Sequence, residues 1–174
     1  MPGTPFPFFD LLDLSTLTLA TTGQAGEPHA AAVYFAAHER LDLYFFSDSS
    51  SQHSLDVEHD ERAAASLYPE SRAWQEIRGL QMRGEVQRVE PGSFWDGAWE
   101  KYVAKFPFVA GLKAVIDRNQ LFVFVPHWIR LVDNRRGFGF KEEWIRRVEG
   151  QSEVPGSAWW RYRSETELPG DISG

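Results

Sequence analysis

Residues 44–54, "YFFSDSSSQHS", decide how this sequence is read. An apolar aromatic run, "LDLYFFS", reads as a strand and stops abruptly. Ser47, Ser49, Ser50 and Ser51 follow at once, with Asp48, Gln52 and His53 among them. Residues 50–60 then take a helical pattern, with Ser50 or Ser51 placed as the N-cap. A strand that ends in small hydroxyl residues and feeds a helix is suited to an anion. The first backbone N–H groups of a helix lack intrahelical partners and carry the positive end of its dipole. The serines add hydroxyl donors, and His53 adds a ring N–H or a charge. The plain alternative is a helix cap with solvated serines.

Outward from this stretch, the alternation of apolar residues continues on both sides. Upstream, "TLTLATT" places Leu17 and Leu19 on one face, "GQAGE" suits a hairpin turn, and "PHAAAVYFAA" reads as the next strand. Phe8, Leu11 and Leu12 before them have helical spacing. Downstream, "RAAASLY" and "IRGLQMRGEVQRVE" read as a fourth and a long fifth strand, the latter with Leu80, Met82 and Val86 on one face. "PGSFWDGAWEKYVAKF" becomes helical after Pro-Gly-Ser, with Trp95, Trp99, Tyr102 and Phe106 as its apolar stripe. "NQLFVFVPHWIRLVD" is a last strand, with Pro126 expected at a bend or an edge. The pattern fades after Val148, so residues 1–150 are expected to form one domain and 151–174 a loosely structured tail. The fold class is mainly β, of α+β type: a six-stranded antiparallel β-barrel with flanking helices.

Composition narrows the function classes. The net charge of −7 argues against a nucleic-acid binder, because phosphate contacts require a basic surface. No apolar run reaches membrane-span length, and "MPGTPFPFFDLLDLS" lacks the basic region of a signal peptide, so a cytoplasmic protein without a membrane partner is expected. With no cysteine, thiolate zinc sites and thiol nucleophiles are excluded. The histidines show no metal-binding spacing: His53 and His59 do not share a helical face, and no metal site is expected. "GDISG" places Ser173 outside the G-x-S-x-G position, and "RRGFGF" lacks the third glycine of a dinucleotide loop and reads as a turn. The seven tryptophans suggest a large packed surface, one shared with a partner being an option.

The ordered series resembles the FMN-binding split-barrel flavoproteins related to pyridoxamine 5′-phosphate oxidase. "LATTGQAGEPHAAAVYFA" looks like that family's opening hairpin. "LDLYFFSDSSSQHSLDVEHDERAAASL" looks like its strand, phosphate loop, helix and next strand. "IRGLQMRGEVQRVE" looks like its central strand with an Arg-Gly pair, and "HWIRLVDNRRGFGFKEEW" resembles the end of an uncharacterised branch. The resemblance covers roughly residues 10–146 and implies a homodimer with two FMN sites at the subunit interface.

It also implies site residues. The family's hydroxyl, arginine and lysine or histidine that hold the FMN phosphate fall on Ser51, Gln52 and His53, so Gln52 replaces the arginine. Phe46 and Ser47 fall at flavin and ribityl or phosphate contacts, and Val33 and Ala31 on the cofactor-contacting strand. Ala31 and Ala36 stand where the oxidase carries an arginine and a substrate-binding lysine, so turnover of pyridoxamine 5′-phosphate is not expected. The family's flavin-contacting glutamine falls on Gly79, leaving Gln81 or Arg83 to serve, or a solvated strand face. Trp95, Trp99 and Trp128 line the interface or pocket, with an ordinary core under the helix favoured for Trp99, and Trp144 covers a ring from the partner chain. The functional expectation is an FMN-dependent oxidoreductase acting on a small molecule. The alternatives are a non-catalytic binder of flavin, haem or another planar ligand, with His29, His38, His53 and His127 as possible haem ligands that no spacing marks, and a dimer whose ligand site has decayed.

Overall fold

The computed structural model describes residues 6–38, 40–112, 116, 118–147 and 160–163. The alternating segments pair into one antiparallel sheet: β1 (Thr16–Thr22), β2 (Pro28–Tyr34), β3 (Ala36–Ala37), β4 (Leu43–Ser47), β5 (Arg62–Leu67), β6 (Arg78–Arg88), β7 (Gln120–Asp133), β8 (Lys141–Arg146) and β9 (Trp160–Arg163). The order across the sheet is β2-β1-β5-β6-β7-β4-β3, with β8 and β9 branching from the far end of β7. The long β6 and β7 form its spine, and the sheet curls around one apolar core in the manner of a split barrel.

The mainly β architecture is as expected, but the described residues contain nine strands rather than six. The run over 28–37 breaks at Phe35, whose fully buried ring leaves the ladder and joins the core. "KEEWIR" forms β8 across a turn over Asn134–Arg136, with Gly137 at φ 139° and Gly139 at φ 71°. Within the expected tail, Trp160–Arg163 pairs with β8. Ser173 and the rest of the tail lie outside the described residues. The N-terminal helical spacing is realised as a 3₁₀ helix, Phe9–Asp13, which buries Leu11 and Leu12. Pro126 sits inside β7 at a local gap: β4 pairs as far as Phe124 and β8 starts at Trp128, so its missing N–H disrupts neither ladder.

Period-2 alternation divides the sheet into two faces. Leu17, Leu19, Val33, Ala65, Leu67, Leu80, Met82, Ile129, Leu131 and Trp144 point inward and form the core. Helix α1 (Gln52–His59) seals this side, contributing Val57 to the core. Helix α2 (Ser93–Lys105) lies on the outer face, where Tyr102, Phe106, Trp95 and Trp99 cover Ala36, Tyr44, Phe46 and Val123. It covers only one half of the outer face. Over β2, β1 and β5 the outward residues Ala30, Ala32, Thr18 and Ala64 remain exposed.

Candidate functional site

The strand-to-helix stretch builds a compact polar cluster. The inward-facing last residue of β4, Ser47, meets the first turn of α1: its Oγ lies 2.7 Å from His53 Nε2, 2.9 Å from Ser51 Oγ and 3.2 Å from Ser54 Oγ. Ser51 is the N-cap, with extended backbone (φ −67°, ψ 149°), but its hydroxyl makes no capping bond. It turns instead to Ser54 at 2.8 Å and to His53 Nε2 at 3.3 Å. The first-turn N–H groups are thus not taken by the cap side chain, and hydroxyls and an imidazole converge beside them. Burial pulls the His53 imidazole below its usual range, with the negative field of Asp56 offsetting this only in part. His53 is therefore neutral at pH 7 while the site is empty of anions.

Gln52 departs from the reading that places it in this cluster. Its Nε2 donates 2.8 Å back to Asp56 Oδ1, one helical turn on. Asp56 is 3% exposed and also accepts from Thr21 Oγ1 at 2.6 Å, with His29 Nδ1 at 2.7 Å from the same oxygen. Burial alone would raise the Asp56 pKa, but the bonds from Thr21, Gln52 and His29 outweigh it and hold the carboxyl below its usual range. Asp56 thus pins α1 to β1 and β2 and uses the donor that would otherwise face an anion. The loop's other carboxylate, Asp48, is folded into its own turn by Ser50, whose N and Oγ both donate at 2.7 Å.

The remaining expected residues fall in three places. Ala31 and Val33 face inward on β2, Val33 within the core, and Trp144 is buried inside against Phe6 and Phe8, with its ring centroid 5.1 Å from that of Phe8. Phe46 faces outward under α2, edge-on to Trp95, Trp99 and Tyr102 at 6.1, 5.9 and 5.0 Å. Gln81 and Arg83 lie on the outer face of β6, across the sheet from the serine cluster. Gly79 is occupied on that face by the ring of Tyr68: a Cβ there would lie 2.3 Å from it. The expected set therefore divides between the two sides of the sheet, with the serine cluster brought together as one unit.

Sequence reasoning passes over Thr21, Ser54 and Asp56, and considers His29 only as one of four possible haem ligands that no spacing marks. Ser54 and Asp56 were legible only through helical spacing from Ser51 and Gln52 (i, i+3 and i, i+4); Thr21 and His29 meet Asp56 through long-range pairing that no local pattern encodes. A groove of about 360 Å³ beside the end of α1 is lined by Val57, Glu58, Glu61, Val86, Gln87, Arg88 and Phe122. It touches none of the cluster residues, and two glutamates at its rim oppose an anion, so it is not the site. Among the described residues, no three metal-ligating side chains converge.

The cluster can be weighed against an FMN phosphate. Its hydroxyls, helix end and imidazole supply donors of the right kind. A permanent cation is missing, so the fit depends on protonation of His53 and on the helix dipole, together worth less than an arginine fork.

Comparisons with known proteins bear on the fold and the family. The curated protein UPF0306 protein YhbP from Salmonella paratyphi A is 30% identical over 87 residues, covering 50% of this chain and 58% of that protein, so the match spans little more than half its length. Among solved structures, the conserved hypothetical protein Rv2991 from Mycobacterium tuberculosis superposes with a TM-score of 0.66 at 18% identity, covering 77% of this chain and 87% of that one. A heme binding protein from Mycobacterium smegmatis gives a TM-score of 0.63 at 21% identity, covering 75% and 52%. The family described as pyridoxamine 5′-phosphate oxidase matches residues 10–133, from the first turn of the N-terminal 3₁₀ helix through the end of β7, and the chain belongs to that family, on a branch apart from the oxidase itself.

Proposed function

We propose that this protein is a homodimeric flavoprotein that binds FMN and transfers electrons to or from a small molecule. The observation that carries the reading is the convergence of Ser47, Ser51 and His53 at the open start of α1. In this reading those three residues hold the phosphate, and the exposed small-residue half of the outer sheet face receives the ring system. The two regions lie on opposite sides of one sheet, which favours a ligand shared between two copies. The bound flavin would supply hydride or electron transfer, and the protein would supply binding, orientation and charge. Ala31 and Ala36 leave no charged pair for pyridoxamine 5′-phosphate, so the substrate is a different molecule. An acidic chain of this kind is expected to work in the cytoplasm, away from nucleic acid and lipid.

Haem is the second reading, favoured by His29. Its Nδ1 is fixed on a buried carboxylate, its Nε2 has no partner among the described residues, and its side chain is 31% exposed. A carboxylate-held imidazole of this kind suits an iron ligand, and a similar structure is that of a heme binding protein. The absorption spectrum of the purified protein decides between the two. Flavin gives bands in the blue and near ultraviolet, and haem gives a Soret band. A colourless protein that takes up neither FMN nor haem in titration would overturn both.

A further inference from the structure

The groove beside the end of α1 has a floor and a rim of different character. Val57 of α1, Val86 of β6 and Phe122 of β7 form an apolar floor; all three are buried, and Phe122 stacks on Phe45 with ring centroids 5.5 Å apart. Glu58 and Glu61 stand exposed at the rim. The volume of about 360 Å³ falls at the lower end of the range of small-molecule pockets. The groove lies where α1 gives way to β5. The helix ends at His59, and Asp60 closes it by donating its N–H to the Asp56 carbonyl at 2.8 Å. The Val86 N–H then donates to the Glu61 carbonyl at 2.7 Å, which ties the connection to β6 before β5 begins at Arg62.

The cations around this groove are committed to other acids. Arg62 forks onto Asp60, with Nε 2.9 Å from Oδ1 and Nη2 2.6 Å from Oδ2. Arg88, which also lines the groove, has its Nε 3.4 Å from Glu90 Oε1. Neither Glu58 nor Glu61 has an ion-pair or side-chain hydrogen-bond partner among the described residues. The last carbonyl groups of α1 add the negative end of the helix dipole to the same rim. Two unneutralised carboxylates and a helix C-terminus repel an anion and favour a cation, while the floor offers contact to an apolar body.

We infer that this groove binds a small amphiphilic cation, a protonated amine on a compact apolar body, with the body against Val57, Val86 and Phe122 and the ammonium held by Glu58 and Glu61. An ammonium suits the rim because it is a compact charge with three donors, which two separate carboxylates can share. The concave shape, walled by α1 on one side and β6 on the other, fits a small molecule. The site does not rest on the flavin reading and shares no residue with the serine cluster. It does share a helix with it: Val57 and Glu58 follow Ser51, His53 and Ser54 along α1, so an occupant that joins α1 to β6 steadies the element that carries the cluster.

The probes are tryptammonium, tryptophol and indole-3-acetate, which carry one ring with a positive, a neutral and a negative end. Each is titrated into the full chain by calorimetry, and amide exchange is mapped with and without the amine. About a dozen non-hydrogen atoms held at ordinary efficiency bind in roughly the millimolar range. Tryptammonium is expected to bind about fivefold or more tighter than tryptophol, with indole-3-acetate the weakest. The preference should narrow in high salt and vanish in the Glu58→Gln, Glu61→Gln double variant. Both glutamates are exposed, so that variant should melt like the parent, which separates loss of binding from loss of fold. Exchange should slow in the second half of α1 and over residues 86–88 of β6. Equal affinity for the three probes, no binding of the amine at about 20 mM, a preference unchanged in the double variant, or protection confined to another face would overturn the site. Excess FMN should leave the amine in place; displacement by FMN would put the amine in the serine cluster and overturn the groove.

Discussion

His53 and Gln52 are neighbours whose roles the surroundings have separated. His53 is drawn into the hydroxyl cluster and kept neutral by burial, while Gln52 is drawn away by Asp56. Restoring arginine at position 52 should therefore help a phosphate less than the loss of an arginine suggests. A new guanidinium at this position is four residues before Asp56 and will pair with it first. We expect Gln52→Arg to tighten FMN by less than about tenfold, where an uncommitted charged hydrogen bond would exceed that; quenching of flavin fluorescence measures it, and a gain above a hundredfold would show that Asp56 does not hold the new side chain. His53 gives the complementary pH dependence. Its imidazole is below its usual range in the folded chain, so the unfolded chain binds the proton more readily. Folding stability from this group is then full above the ordinary imidazole pKa and falls as pH drops through and below it. Phosphate binding should run the other way, strengthening as pH falls, because only protonated His53 adds charge. Opposite slopes of melting temperature and FMN affinity between pH 7.5 and about 5.5 are the expected signature, and His53→Gln should flatten both. The serines and His53 were legible in the sequence because they are contiguous with the helix start. The diversion of Gln52 was not, since it needed Asp56 to be buried and charged, which depends on Thr21 and His29 arriving from another hairpin.

Helix α1 has eight residues and no capping side chain, too short to hold itself together in water. What fixes it is Val57 in the core and the Asp56 carboxylate, which joins α1 to β1 through Thr21 and to β2 through His29. Asp56→Ala should remove that connection and leave three polar groups to find water, at a cost of about 2–4 kcal/mol in denaturant unfolding, with faster amide exchange confined to α1 and the serine loop. Asp56 sits below the usual carboxylate range, so its contribution is present at neutral pH and lost as pH falls through its folded pKa. The bulge between β6 and β7, where Arg83 pairs with Trp128 and Gly84 with Pro126 so that His127 is the extra residue on β7, makes a similar demand at one residue. The atoms a Cβ on Gly84 would strike belong to the backbone of Val125 and Pro126, which cannot swing aside. Gly84→Ala should cost about 1–3 kcal/mol and, by resetting the register, move Arg83 off Trp128; a variant as stable as the parent would show that the strands can shift without cost. At this scale the strands were readable from alternation and the helices from their period. The bulge was not, because an Arg-Gly pair in a strand is compatible with an unbroken ladder until the opposite strand places Pro126 against it.

At the scale of the molecule, α2 shields half of the outer sheet face and leaves the other half bare. The barrel class was visible from the alternating runs, but this division was not, since sequence does not say where a helix will lie on a sheet. Nor did it reveal that strand β9 extends the sheet beyond β8, because the alternation of "WRYR" lasts only four residues within a polar stretch rich in Gly, Ser and Pro. The bare half is the natural place for a second copy, and its size can be checked against what a dimer needs. Four strands about 4.8 Å apart and about 20 Å long give roughly 400 Å², half of the about 800 Å² per partner typical of stable complexes. In the proposed dimer, exposed aromatic and aliphatic residues would add to this area: Tyr34 at 51%, Phe108 at 58% and Leu112 at 45% exposure, with the Tyr34 and Phe108 rings 6.2 Å apart. Sedimentation at micromolar concentration should therefore give twice the monomer mass. Ala32 stands midway along β2, the outermost strand of the bare face, exposed and opposite Thr18, so Ala32→Glu leaves the fold of one chain alone while placing a charge where the proposed partner copy would pack. The expected outcome is a folded monomer with an unchanged far-ultraviolet spectrum that has lost FMN binding together with dimerisation, because the phosphate cluster and the ring face of one chain lie on opposite sides of its sheet. A variant that stays dimeric would remove this face from the interface, and a monomer that still binds FMN would place the whole ligand within a single chain.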